Sequence, residues 1–543
     1  MVIKVALLVV FFAVMIGIGI YTRKHATNVD GFVLGSRSAG PWITAFAYGT
    51  SYFSAVVFVG YAGQFGWKFG IASTWIGLGN AVIGSYLAWL ILGRRTRVMT
   101  QAIDAKTMPD FFGKRFDSNA LRVAASLITF VFLIPYTASV YNGLSRLFGM
   151  AFDIPYDVCI LVMAVLTGLY VILGGYMATA INDFVQGIIM LFGISAVIVS
   201  VLKGQGGFFA ALTKLAAAEP AAGEHLPVMA KGVFNSFFGP DPVNLVGVVI
   251  LTSLGTWGLP QMVGKFYAIK SEKNIRTGTI VSTIFAVIVA GGCYFLGGFG
   301  RLFTNILPVN ENGTIVGGYD IIIPQMLSTL SDALLGVVIV LVLSASMSTL
   351  SSLVLTSSST LTIDFLGSTC MKKMDEKKKV LLMRVFIVVF VAISVIIAFN
   401  KDKIPNIAQL MGYSWGALAG AFLAPFMYGL YSKKITRASV WVSFILSIVI
   451  TVTNMMFSYI KSPINAGAFT MIASLIVVPI VSLITPKLSD EFTDGIFACF
   501  KRKVEVQADK AISDDPAVEA SVKPVEVKHS PRKSSGSKKK KKK

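Results

Sequence analysis

Four hydroxyl residues recur every fourth position in the stretch LVLSASMSTLSSLVLTSSST (Leu341–Thr360): Ser344, Ser348, Ser352 and Thr356. On a helix that spacing puts them near one face, with Ala345 and Thr349 beside it. The run just before, LLGVVIVLVL from Leu334 to Leu343, is apolar enough for hydrocarbon. An unpaired hydroxyl there costs on the order of a few kcal/mol. One or two such residues are satisfied by bonding back to a carbonyl one turn earlier or by a helix–helix contact. A cluster this dense calls for another partner. Sodium, a small hard cation suited to neutral oxygen ligands, fits it.

A cation shell needs oxygens from a second element, and two apolar spans are interrupted in a way that would supply them. One contains Tyr48-Gly49-Thr50-Ser51-Tyr52-Phe53-Ser54 and the other Ser253-Leu254-Gly255-Thr256-Trp257-Gly258-Leu259-Pro260-Gln261. Glycine loosens a helix and proline removes a backbone donor, so carbonyls are freed to point elsewhere. Either break alone is explained by an ordinary kink. The two together lie five spans apart, at matching places in two groups of five. That is the pattern of an inverted-repeat transporter with its substrate between two discontinuous helices. The expected sodium shell is then the carbonyls of Thr50 and Phe53 with the oxygens of Ala345, Ser348 and Thr349. Asp183, at the inner end of a span, joins the ion-binding candidates because an intramembrane ionisable group is functional by default. A helix cap at the membrane surface is its other reading.

The composition leaves few alternatives to a membrane. The chain has 543 residues, 55% hydrophobic and only 14% charged, which no soluble domain of this size accommodates. Continuous apolar runs, as opposed to alternating ones, exclude an outer-membrane barrel. The twenty-residue criterion gives about thirteen spans: Val5–Tyr21, Pro41–Gly63, Ile71–Leu92, Leu121–Leu144, Ile154–Leu173, Phe184–Val201, Val243–Phe266, Thr277–Phe299, the hydroxyl-rich span, Val380–Phe399, Ile407–Tyr428, Ala438–Tyr459 and Phe469–Ile484. The first lacks a cleavage site and is expected to be retained. Lys and Arg crowd alternate loops (Arg23, Lys24, Arg37; Arg94, Arg95, Arg97; Lys114, Arg115; Lys265, Lys270, Lys273; Lys372, Lys373; Lys433, Lys434), which sets the N-terminus outside and the C-terminus in the cytoplasm. The net charge of +21 thus reflects topology and lipid electrostatics, not nucleic acid.

Scattered Cys159, Cys293, Cys370 and Cys499 show no metal or disulfide spacing, and the three histidines fall in loops or the tail. The segment 204–241 is expected to be a polar outer loop. Asn312-Gly313-Thr314 matches a glycosylation acceptor, but an Asn-Gly turn explains it as well. The basic tail cannot bury a core and is expected to be disordered; its lysines either touch anionic lipid headgroups or are merely solvated. There is no HExxH, paired catalytic acid or nucleophile elbow, so an enzyme is not expected.

FVLGSRSAGP (Phe32–Pro41), TMPDFFGKRF (Thr107–Phe116), GGYMATAINDFVQG (Gly174–Gly187), GLPQMVGKF (Gly258–Phe266) and LSASMSTLSS (Leu343–Ser352) jointly resemble the sodium:solute symporter family over nearly all of Met1–Pro486. The resemblance implies an all-α, LeuT-like five-plus-five inverted-repeat core (41–430), preceded by an extra helix and loop (1–40) and followed by two helices (431–493) and the tail (494–543). It implies sodium at Thr50, Phe53, Ala345, Ser348 and Thr349, and in some relatives an acid like Asp183 holds a second sodium or relays the first. Ser346 and Ser352 are further helpers, and Arg37 matches a basic position of the proline carriers. Tyr52 stands where those carriers usually have an aspartate, while SYFSA and GLP look more like the pantothenate carriers. The expected cargo is therefore a small carboxylate-bearing nutrient, proline-like or pantothenate-like, imported with sodium across the cell membrane. Ser54, Trp257, Gln261 and Trp415 are the candidate pocket residues, with packing or interfacial anchoring as the alternative for both tryptophans. A proton-coupled carrier, or a sensor or channel on the same scaffold, are the alternatives in function. No obligate protein partner is expected.

Overall fold

Lipid offers no partner to a peptide group, so an apolar span must close its own backbone bonds as a helix. The chain was described from a computed structural model covering residues 2–500, apart from 153–154, 221–223, 225, 309–314, 317, 372 and 401–406. Among the described residues the chain is helical with no strand, and an isolated parallel bridge joins Ala39 and Ile269. The Asn312–Thr314 triplet, Lys372 and the tail from Lys501 lie outside the described residues.

In chain order the helices are α1 (Val2–Thr22), α2 (Pro41–Tyr52), α3 (Ala62–Phe69), α4 (residues 74–102, with two π turns), α5 (Met108–Arg115), α6 (Asn119–Phe152) and α7 (Tyr156–Gly204). Then come α8 (Pro242–Gly258), α9 (Pro260–Tyr267), α10 (Lys273–Ala286), α11 (Asp332–Thr360), α12 (Glu376–Phe399), α13 (Ile407–Tyr431), α14 (Arg437–Phe457) and α15 (Pro463–Ile484). Ten described helices are long and apolar enough to cross a bilayer, or eleven when the bent pair α8–α9 is counted as one. Two of these stretches are longer than one crossing needs, and each contains a glycine of positive φ: Val56–Ala102 at Gly70 (φ +60°) and Asp157–Gly204 at Gly175 (φ +54°). At 49 residues, an unbroken α7 would run about 74 Å, more than twice the roughly 30 Å of hydrocarbon.

The hydroxyl-rich α11 is the bundle's centre. It packs against α1, α2, α6, α7 and α12. Its apolar window is 78% buried, against 39% for the peripheral α12 and α15. Outer helix faces expose Val9, Val243, Leu483 and Ile484, as lipid contact requires.

Both expected breaks are present. α2 stops at Tyr52, Phe53 is extended (φ −94°, ψ 109°), and the chain resumes through a π turn at Val56–Tyr61. α8 stops at Gly258, Leu259 is extended (φ −83°, ψ 122°), and α9 restarts at Pro260 with a 45° bend.

The arginines of the basic loops bond to carbonyls at helix ends. Arg37 donates to Tyr267 O and Ala105 O, both at 2.9 Å. Arg97 donates to Ile269 O at 2.8 Å, and Arg115 to Gly429 O at 2.8 Å and Ser432 O at 2.7 Å. Cations at helix C-termini gain from the macrodipole there. Burial pushes the Arg115 guanidinium down to about 10, which leaves it charged at neutral pH.

Several expectations are corrected. Lys265, expected in a cytoplasmic loop, is 3% exposed because α9 turns it inward. Asp183 does not open a span or cap one, since α7 continues unbroken from Gly175 past it. The segment 204–241, expected as a loop, contains a helix, Phe208–Ala216, whose Ala211 and Leu215 pack on Phe234 and Phe299. At the other end, residues 490–497 form a helix that stacks Phe497 on Arg115, so the ordered chain extends past 494.

Candidate ion and solute site

The crossing of α2 and α11 gathers five oxygens. The Ser348 hydroxyl is 3.2 Å from Thr50 O and 3.0 Å from Ala345 O. The Thr349 hydroxyl is 3.4 Å from Thr50 O, 3.2 Å from Phe53 O and 3.2 Å from Ala345 O. Local geometry explains why these carbonyls are available. Phe53 is extended, so its oxygen leaves the helical ladder, and Thr50 O takes the capping bond from Phe53 N at 3.2 Å as well as the two hydroxyls of α11. Oxygens at right angles around a cation with ligand distances of about 2.3–2.6 Å stand about 3.3–3.7 Å apart. The observed separations of 3.0 to 3.4 Å need spreading by only a few tenths of an ångström. All five residues are at most 1% exposed. The shell is neutral, so an ion placed in it brings the only formal charge.

Back-bonding accounts for other hydroxyls of α11: Ser351 donates to Ser348 O, Ser358 to Leu355 O and Thr360 to Ser357 O. Ser346 accepts from Ala55 N at 3.3 Å, fixing the restart of the broken span. Ser348 and Thr349 do both, bonding within α11 and across to α2.

Asp183 does not join this crossing. It lies in a second buried group, 3.3 Å from Lys265 Nζ, which is 3.0 Å from Ser352 Oγ; Ser352 in turn is 3.0 Å from Ser51 Oγ. No group of three or more His, Cys, Asp or Glu residues suited to a metal occurs among the described residues.

The four pocket candidates separate. Ser54 and Trp415, both fully buried, lie beside Tyr136, whose hydroxyl has no hydrogen-bond partner among the described residues, and the Tyr136 and Trp415 rings are edge-on at 5.8 Å. Trp257 is turned away, its indole donating to Ile83 O of α4 at 2.9 Å, which is the packing role. Gln261 is buried beside Lys265 on the wall of a cavity of about 40 Å³. That volume holds a few waters and no organic solute. Sequence reasoning missed Tyr136 and Lys265. The signals were there: Tyr136 follows Pro135 at mid-span, and Lys265 stands four residues after Gln261, on the same face of a helix starting at Pro260.

Residues 32–447 match the sodium:solute symporter family. The chain is 29% identical over 432 residues to the osmoregulated proline transporter OpuE of Bacillus subtilis, covering 79% of this chain and 84% of that protein. It is 29% identical over 496 residues to the sodium/proline symporter of Staphylococcus aureus, covering 89% and 92%. Among solved structures it superposes on a Na+-coupled sialic acid symporter in a substrate-bound, outward-open state, with TM-score 0.71, 17% identity, and 90% and 99% of the two chains covered. Mhp1, a nucleobase-cation-symport-1 family transporter, follows at TM-score 0.51, with 13% identity and coverage of 86% and 97%. At these identities the two structures establish the architecture alone, a LeuT-like inverted-repeat fold.

Proposed function

The chain belongs to the sodium:solute symporter family, and from that premise we propose that sodium bound where α2 crosses α11 drives uptake of a small carboxylate-bearing solute, proline or a close analogue. Membership makes it a multi-pass membrane transporter, not an enzyme, with sodium as coupling ion and a small molecule as cargo. The observation that supports the ion site is the convergence of the Ser348 and Thr349 hydroxyls on the freed carbonyls of Thr50 and Phe53. Sodium there ties the break in α2 to the central helix and favours one access state. Its loss on the low-sodium side releases that tie, so the ion's differential affinity shifts the population.

Proline is preferred over pantothenate because the relatives OpuE and the S. aureus symporter are named for proline. The Ser54–Tyr136–Trp415 group also offers hydroxyls beside aromatic faces, suited to a compact amphiphilic ring. The carrier sits in the cell membrane, N-terminus out and C-terminus in, as the lysines and arginines of alternate loops favour. The test is sodium-gradient uptake of labelled proline into proteoliposomes, with pantothenate as competitor. Uptake that persists when choline replaces sodium would falsify the ion reading; sodium-driven uptake of pantothenate but not proline would overturn the solute assignment.

A further inference from the structure

The second buried group joins four helices: Asp183 on α7, Lys265 on α9, Ser352 on α11 and Ser51 on α2. The Lys265 ammonium sits 3.3 Å from Asp183 Oδ2, 3.0 Å from Ser352 Oγ and 5.4 Å from the Tyr176 ring centroid. Asp183 is 0% exposed, and its Oδ1 has no hydrogen-bond partner among the described residues. Ser352 lies one helical turn from Ser348, so the group stands directly beside the five-oxygen crossing. A carboxylate, a hydroxyl and an aromatic face around one point are what a monovalent cation takes, and here a lysine nitrogen stands at that point.

We propose that the Lys265 ammonium is a built-in cation occupying a second cation site, so that the carrier moves one sodium per solute. The proposal rests on the sodium-coupled reading above and adds its stoichiometry. The physical case begins with Asp183, a fully buried carboxylate, which needs a positive partner. Lysine supplies a compact point charge with three donors, and the observed contacts use two of them, on Asp183 and Ser352. A tethered charge does not dissociate, so the joint of α7, α9 and α11 keeps its charge balance whether or not sodium is bound. The neutral α2–α11 crossing has no such partner and must take its charge from solution. Lys265, Ser352 and Tyr176 line a cavity of about 40 Å³, so removing the lysine charge leaves room enough for a small cation beside Asp183.

The experiment counts radioactive sodium bound per purified carrier. One ion is expected for wild type and for Lys265→Arg, and two for Lys265→Met, whose sodium activation of uptake turns from hyperbolic to sigmoidal. Lys265→Met combined with Asp183→Asn returns to one. A folded Lys265→Met that still binds one ion overturns the proposal. Wild-type stoichiometry is read independently, with no variant, from the reversal potential of coupled flux in proteoliposomes, and two sodium ions per solute there overturns it too. Thr349→Ala separates the two readings. If it leaves wild-type sodium binding intact while Lys265→Met gains an ion, the α2–α11 site is wrong and the tethered cation stands.

Discussion

The Thr349 hydroxyl lies 3.2 Å from the carbonyl oxygen of Phe53, across 296 residues of sequence. One oxygen belongs to an unbroken central helix and the other to a peptide released by a helix break. Neither alone makes an ion site; their meeting depends on α2 stopping at Tyr52.

Thr349→Ala is expected to raise the half-saturating sodium concentration by about tenfold to a hundredfold. Losing one oxygen from a charged centre costs about 1.5–3 kcal/mol, and tenfold is 1.4 kcal/mol. Adding Ser348→Ala deepens the loss, whereas Thr349→Ser keeps the oxygen and most of the affinity. Uptake against sodium concentration, with solute saturating, is the measurement; an unchanged curve for the double alanine variant counts against the site.

Tyr136→Phe removes a buried hydroxyl with no hydrogen-bond partner among the described residues, left available to a solute, and is expected to raise the KM for solute roughly fivefold to tenfold, about one hydrogen bond. Trp257→Phe serves as the contrast. Its indole is spent on Ile83 O, so it should lower the Tm in detergent and leave KM nearly unchanged. The opposite pattern would exchange the roles of the two aromatic residues.

Arg122 is paired with Asp364 at 2.8 Å and Asp110 at 3.2 Å, and both acids are at most 2% exposed. Arg122→Ala leaves two buried carboxylates without that cation and is expected to cost about 3–5 kcal/mol of stability. Asp364→Asn in the same chain should recover part of the loss. Thermal unfolding of the single and double variants gives the coupling, and additive effects would show that the charges do not act together.

Gly66 and Gly297 allow α3 to touch the end of the Lys273–Gly297 span backbone to backbone. A Cβ on Gly66 would stand 2.0 Å from Gly297 O, and one on Gly297 2.1 Å from Ala62 O. Either alanine is expected to destabilise by about 1–3 kcal/mol through forced separation. Gly264→Ala, with nothing within 4 Å, is the control expected to be near neutral. Equal Tm values for all three would mean the contact yields freely.

Much of the site was legible because its signals are local. Hydroxyls every fourth residue in an apolar run, and Gly, Thr and Ser or Gly and Pro inside others, mark the central helix and both breaks without reference to any contact. Lys265 was misread because hydropathy sees an i+4 lysine near a basic cluster and cannot see that α9, restarted by Pro260 after a 45° bend, aims it inward. Asp183 differs for a related reason: the polarity of Asn182-Asp183 suggests a helix start there, while the helix is broken earlier, at Gly175, whose φ of +54° suits glycine.

By itself the sequence determined that the chain is helical and crosses a membrane, and where its two breaks fall. Periodicity and backbone chemistry act within a few residues, so they survive without tertiary information. Only the tertiary structure decided which oxygens meet, that Tyr136 packs edge-on against Trp415 while the Trp257 indole bonds to α4, and that Asp183 faces Lys265. Those outcomes depend on the rotation and bend of whole helices against one another. A helix turns its residues by about 100° each, so a small offset at a break redirects every side chain beyond it.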